Sequence, residues 1–242
     1  MLKKIAWKIK DDLSKLNFYP ECRLGVDLSQ DYKSYWDKRR ESDKPVLSPW
    51  QKQRADLVLE FIEPNSTILD IGCGDGAILK YFKDKAGIKG IGVDIDERSL
   101  ERVKSLGLNG VLMDINNLEA LSSLPGVDYI TGFEIIEHMP NPEQFIYLLQ
   151  DKTRKGFIFS TPNTGYYAHR LRLLFGRFPL QWIAHPGEHV RFWTVKDMKF
   201  WVQAIGFNLT KFILYEGVPG LNKLMPKLFG QGMIIHITKN KS

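Results

Sequence analysis

At 242 residues, 43% hydrophobic and 26% charged, the sequence has the balance of a globular protein with room for one sizeable core, which excludes a disordered or fibrous chain. Two cysteines, Cys22 and Cys73, make no disulfide framework and no paired metal spacing, and point to a reducing, cytoplasmic setting. The formal net charge of +6 suits a membrane surface, a nucleic acid or a phosphorylated substrate without choosing among them.

Residues 1–16 bring Leu2, Ile5, Ile9 and Leu13 to helical spacing, with Lys3, Lys4, Lys8 and Lys10 around them. This predicts an amphipathic helix that packs on its own domain or lies on a membrane surface. The opening lacks the long apolar core and cleavage site of a signal peptide, and no apolar run approaches the ~20 residues of a spanning helix. A polar stretch ending DYKSYWDKRR follows, so residues 1–48 are set apart as an N-terminal helical and basic segment, and 49–242 as the main domain. A helix is predicted from Pro49 to Phe61. Strand-like runs then come at 67–71, 90–95, 109–115, 128–136 and 156–161, with helical runs at Gly76–Lys83, Arg98–Ser105 and Pro142–Gln150. Such alternation predicts an α/β, doubly wound, mostly parallel sheet. After Thr161 the rhythm gives way to an aromatic and basic lid insertion at about 162–192. A helix (Val195–Ile205) and strands at 208–215 and 232–239 close the chain.

The segment ILDIGCGDG carries the strongest chemistry. A buried strand runs straight into Gly72, Gly74 and Gly76, where backbone must turn tightly and approach a ligand with no Cβ in the way. The spacing is G-x-G-x-G, not the G-x-G-x-x-G of dinucleotide folds, and Asp70 and Asp75 flank it. A carboxylate there repels a pyrophosphate but suits a ligand carrying an ammonium and a sulfonium. The next strand ends GIGVDID, which puts Asp94, followed by Ile95, where an acid accepts from ribose hydroxyls. The third ends VLMDI, with Asp114 placed for an exocyclic amine and Ile115 for packing on an adenine ring. One such acid is an ordinary surface carboxylate; three at successive strand ends describe a nucleoside site.

With these motifs in order, the sequence resembles the class I S-adenosylmethionine-dependent methyltransferases over roughly residues 30–240. In style it is similar to the ubiquinone-biosynthesis O-methyltransferases and the methionine-biosynthesis W protein family. The resemblance implies a seven-stranded sheet of order 3-2-1-4-5-7-6 with the last strand antiparallel, and S-adenosylmethionine as cofactor. It also implies that Tyr35, Trp36 and Arg40 close over that cofactor, and that Phe133 and Glu134, ending the fourth strand, meet the methyl group and its acceptor.

Glu134, Glu137 and His138 form the pattern E-x-x-E-H. It can supply a general base, for which an imidazole titrating near neutrality is suited, or hold a divalent cation. By resemblance that cation is magnesium, held by Glu134, Glu137 and His138, although relatives also use these residues to fix the loop and the cofactor with no metal. In the lid, Tyr166, His189 and Arg191 are candidates for substrate contact, the alternative being a hydrophobic helix pair with solvated arginines. The lid, the N-terminal helix and LNKLMPKLFG (221–230) all mix cations with large apolar residues, which suits peripheral contact with a membrane. Basic residues are scattered rather than striped, and nucleic acid is not the expected partner. The function expected is methyl transfer to a small-molecule, lipid-linked or glycan-linked acceptor, with O-methylation the first choice although nothing in the residues distinguishes oxygen, nitrogen or carbon; the alternative is a methyltransferase-fold partner that regulates another biosynthetic enzyme.

Overall fold

The computed structural model describes residues 1–18, 46–181 and 189–240. Seven strands, β1 (Thr67–Ile71), β2 (Lys89–Asp94), β3 (Asn109–Leu112), β4 (Tyr129–Phe133), β5 (Phe157–Pro162), β6 (Phe207–Tyr215) and β7 (Gly232–Lys239), form one sheet of order β3-β2-β1-β4-β5-β7-β6. The first five run parallel, and β7 lies antiparallel between β5 and β6. This is the order that the family resemblance implies.

The helices described are α1 (Leu2–Ser14), α2 (Pro49–Leu59), α3 (Ala77–Ala86), α4 (Glu97–Ser105), α5 (Pro142–Leu149), α6 (Tyr167–Leu174), α7 (Val195–Ala204) and the short α8 (Leu221–Leu224) and α9 (Pro226–Phe229). Local chemistry sets where several begin. Ser48 with Gln51 and Thr194 with Asp197 make capping boxes ahead of α2 and α7, and Asp96 accepts from the Ser99 N–H at the head of α4. No described helix is long and apolar enough to cross a membrane.

Helices cover both faces of the sheet, so β1 is apolar on both. Alternation divides it: Leu69 and Ile71 pack with Phe145, Met198 and Trp201 of α5 and α7, while Ile68 packs with Val58, Leu79 and Val103 of α2, α3 and α4. A third, smaller cluster joins Ile5 and Ile9 of α1 to Tyr166, Tyr167, Val218 and Phe229. The N-terminal helix thus packs on its own domain.

Two strands stop three residues short of their apolar runs. β3 ends at Leu112 rather than Ile115 because Asp114 turns its carboxylate onto the Asn116 N–H (2.9 Å), an Asx turn that breaks the extended run. β4 ends at Phe133 rather than Ile136 because Glu134 takes φ +58°, and a 3-10 turn (Ile136–His138) follows. Tyr35, Trp36 and Arg40 lie outside the described residues.

Candidate active site

β1 feeds the glycine loop at the carboxyl edge of the sheet. Gly72, Gly74 and Gly76 take φ of +66°, +54° and +74°, which side-chain-bearing residues rarely adopt. At Gly72 the demand is also spatial: a Cβ would come within 2.1 Å of Ile135 Cδ1. The loop is tied to the neighbouring strand, because the Gly74 N–H donates to Asp94 Oδ2 (2.8 Å) and the Gly72 N–H to the Val93 carbonyl (2.8 Å). Asp94 Oδ1 accepts from the Asp96 N–H (3.0 Å). A carboxylate has about four acceptor positions, so lone pairs remain for a ligand. Burial pushes the Asp94 carboxyl above the usual carboxylate range, and its N–H donors pull against that rise.

The other acids and apolar residues expected here divide by depth. Asp75 is buried and accepts from the Ala77 N–H at the start of α3 (3.2 Å). Asp70 is buried beneath the loop and accepts from the Thr131 hydroxyl of β4 (2.6 Å). Burial pushes its carboxyl up to about 7, opposed by that hydroxyl and by the Arg54 guanidinium. Asp114 is exposed just beyond β3, beside the β2 end where Ile95 is also exposed; Ile115 is half-buried against the core.

At the next strand end Phe133 stacks edge-on against Phe82 and lies 4.9 Å from the guanidinium of Arg54, which also covers the Trp50 ring at 4.5 Å. Arg54 Nη1 donates to Glu134 Oε1 (3.2 Å) and to the Ser160 hydroxyl (3.1 Å), and that hydroxyl donates to Glu134 Oε1 (2.7 Å). Glu134 is therefore committed to α2 and β5. Glu137 and His138 meet His189 instead: their polar atoms lie within 4.8 Å of one another, and the two imidazoles stand perpendicular with centroids 4.6 Å apart. Burial, then the charge of Glu134, raises the Glu137 carboxyl well above its usual range; among the described residues neither oxygen has a well-formed hydrogen bond, although the Thr161 hydroxyl works against the rise. Of the set expected for magnesium, Glu137 and His138 come together and Glu134 does not. One carboxylate with two imidazoles is a donor set for a transition cation rather than for magnesium, which favours oxygen ligands.

The family described as Methyltransferase domain matches residues 42–211. The chain belongs to that family. It is a class I S-adenosylmethionine-dependent methyltransferase. The ubiquinone biosynthesis O-methyltransferase of Chromobacterium violaceum is 28% identical over 202 residues, 77% of this chain and 83% of the relative. That of Methylococcus capsulatus is 28% identical over 167 residues, 63% and 70% of the two chains. Two solved structures share the fold. An Archaeoglobus fulgidus SAM-dependent methyltransferase matches at TM-score 0.61 and 23% identity, over 86% of this chain and 99% of its own. Magnesium protoporphyrin IX methyltransferase of Synechocystis PCC 6803, with bound SAH, matches at 0.55 and 15%, over 96% and 94%.

In this methyltransferase the lid residues have separate placements. His189 reaches the Glu137–His138 group, and the Val190 and Arg191 N–H groups donate to the Glu137 carbonyl (2.9 and 3.1 Å). The Arg191 guanidinium bonds the Pro140 carbonyl and Glu143 Oε2, both at 2.8 Å, bracing the loop after β4. Tyr166 is buried, and its hydroxyl and that of Tyr167 donate to Asp12 Oδ2 of α1 at 2.7 and 2.9 Å. Tyr166 therefore holds α1 to the lid. Arg172 is buried rather than solvated, donating to the Phe178 and Leu16 carbonyls. The residue that sequence reasoning missed is Arg54. Its one signal is helical period: Arg54 shares the buried face of α2 with Ala55 and Val58.

Proposed function

We propose that the methyltransferase methylates an oxygen of a small or lipid-linked acceptor. The observation that carries this reading is the Glu137–His138–His189 group at the exit of β4. A hydroxyl acceptor must give up its proton as its oxygen bonds to carbon, and an imidazole is the side chain suited to take it near neutral pH. Similarity to enzymes named ubiquinone biosynthesis O-methyltransferases supports the same choice of atom.

S-adenosylmethionine, when bound, supplies an already activated methyl carbon, and the chain supplies alignment, dehydration and a proton acceptor. In this reading Gly72, Gly74 and Gly76 let the backbone approach the cofactor. Asp70 and Asp75 set a negative field, strengthened in a dry site, for its ammonium and sulfonium. Asp94 accepts from the ribose hydroxyls with Ile95 at the rim. Asp114 and Ile115 receive the adenine. Phe133 walls the methyl end, and Glu134 with Arg54 fixes that wall. His138 takes the acceptor's proton, and the neighbouring Glu137 carboxyl and His189 ring spread the charge it gains. His189 and Arg191 bring the lid to the acceptor. No magnesium step enters, since the donor set does not fit that ion.

The test is untargeted at first: methyl-labelled cofactor is incubated with the protein and a lipid-containing cell extract, and the labelled product is isolated. A labelled O-methyl product is expected. Replacing His138 with Gln then lowers kcat on the order of a hundredfold or more while the cofactor Kd stays within about twofold. Label found on nitrogen or carbon, or full turnover by His138→Gln, would overturn the reading.

A further inference from the structure

We infer that the outer face of α1, the end of α6 and the α8–α9 turn together form a docking surface for an anionic lipid bilayer. Three observations meet there. First, the segments are one unit. Ile5 and Ile9 of α1 pack with Tyr167, Leu221 and Phe229, Asp12 accepts from both lid tyrosines, and Arg172 of α6 donates to the Leu16 carbonyl. With Ile5, Ile9 and Asp12 facing inward, the period of the helix turns Lys3, Trp7 and Lys10 outward.

Second, the unit presents large apolar side chains to solvent. Trp7 is 68% exposed, Leu2 79%, Leu174 77% and Leu224 79%, with Phe175 and Met225 also exposed. Isolated exposed apolar residues are ordinary; several on three segments locked together mark an interaction surface.

Third, the charge is concentrated in the same place. Residues 1–18 hold five lysines against two aspartates, residues 165–181 hold three arginines, of which Arg170 and Arg177 are exposed and Arg172 is buried, and residues 221–229 hold two lysines, with no acid in either of the last two. These segments carry +3, +3 and +2, against +6 for the whole chain, leaving −2 for everything else. The two aspartates are turned to account within α1, Asp11 paired with Lys15 and Asp12 with Lys8. A tryptophan between lysines buries its ring among acyl chains while the ammonium groups reach lipid phosphates. An acidic protein surface would match the charge but not the exposed leucines and tryptophan. Because α6 belongs to the lid, docking brings the lid up to the lipid surface, whichever atom receives the methyl group.

The full chain is tested by co-sedimentation with phosphatidylglycerol–phosphatidylcholine vesicles and with pure phosphatidylcholine vesicles, with S-adenosylmethionine titrated in parallel. Binding to the anionic vesicles that weakens as salt is raised is expected, with far weaker binding to neutral ones. The double variant Lys3→Gln/Lys10→Gln should bind anionic vesicles on the order of twentyfold more weakly, about fivefold per lysine, and Trp7→Ala on the order of tenfold more weakly. Both should keep wild-type cofactor affinity, so loss of docking is read separately from any failure of the cofactor site. The proposal is overturned by no binding at low salt, by equal binding to neutral vesicles, or by variants that bind like wild type. Self-association of the chain that these substitutions abolish would also overturn it, assigning the surface to a second copy.

Discussion

A carboxyl that titrates near pH 7 under the glycine loop ties cofactor binding to pH. Asp70 sits in that position, its acid form favoured by burial. A ligand bearing positive charge favours the carboxylate, so at pH below about 7 binding must first strip a proton from Asp70. Affinity for S-adenosylmethionine is therefore expected to be flat above pH 7 and to fall by up to about tenfold per unit below it. Calorimetric titration across pH 5.5–8.5 checks this, and Asp70→Asn should remove the slope; an unchanged slope in that variant would sink the assignment. Folding of the cofactor-free protein has the opposite pH dependence, because burial favours the neutral acid. Its stabilisation is full below the unfolded value near 4 and is lost as pH rises through about 7. Arg54 gives a second outcome at this scale. Its guanidinium is buried, bonded to Glu134 and Ser160 and stacked on Trp50 and Phe133. Arg54→Ala should cost about 3 kcal/mol in urea unfolding, since it leaves a partly buried carboxylate without its cation. The acids of the loop were legible because glycine spacing and strand ends fix them locally. Arg54 was not, because PWQKQRAD reads as a solvated helix and only the packing of α2 on the sheet buries its middle.

The elements show where local chemistry suffices and where it gives out. All seven strands begin within a residue of their apolar runs, because β-branched and aromatic residues between turn signals are read from neighbours alone. The overruns at β3 and β4 come from Asp114 and Glu134, polar residues whose turns are made by their own side chain and backbone. The loop after β1 is the most constrained element of the site. Gly72→Ala combines a left-handed φ with a methyl 2.1 Å from Ile135 Cδ1, and should cost about 2–4 kcal/mol and weaken cofactor binding more than tenfold. Thermal unfolding with and without cofactor reads both effects; a variant as stable and as tight as wild type would show that the loop yields. The lid was the least legible element. Tyr166 and the arginines look alike as side chains for a substrate pocket, yet Tyr166 and Arg172 face α1, some 150 residues earlier in the chain. No local pattern announces that pairing.

On the scale of the whole molecule, strand order was legible through resemblance, since alternation alone gives a parallel sheet but not where β7 inserts. How α1 is integrated was left open between two surfaces, and its contacts make it an appendage with its own small core. The layers on the two faces of the sheet are built without it. Deleting residues 1–18 should therefore loosen the lid and spare the cofactor site. The deletion strips Asp12 from the hydroxyls of Tyr166 and Tyr167 and the Leu16 carbonyl from Arg172 and uncovers the apolar surface packed on Ile5 and Ile9, each lost hydrogen bond to a charged group being worth about 1.5–3 kcal/mol. Spread over a chain of this size, that loss corresponds to a fall in Tm of roughly 2–4 °C per kcal/mol. Amide exchange should quicken across α6 and stay slow in β1 and β4, because local opening of an appendage does not require the sheet to open. The cofactor Kd should stay within about twofold, since none of the described α1 contacts touches Gly72, Gly74, Asp94 or Phe133. Loss of cofactor affinity together with faster exchange in β1 would instead make α1 part of the main core, and the lid could then not move without the site.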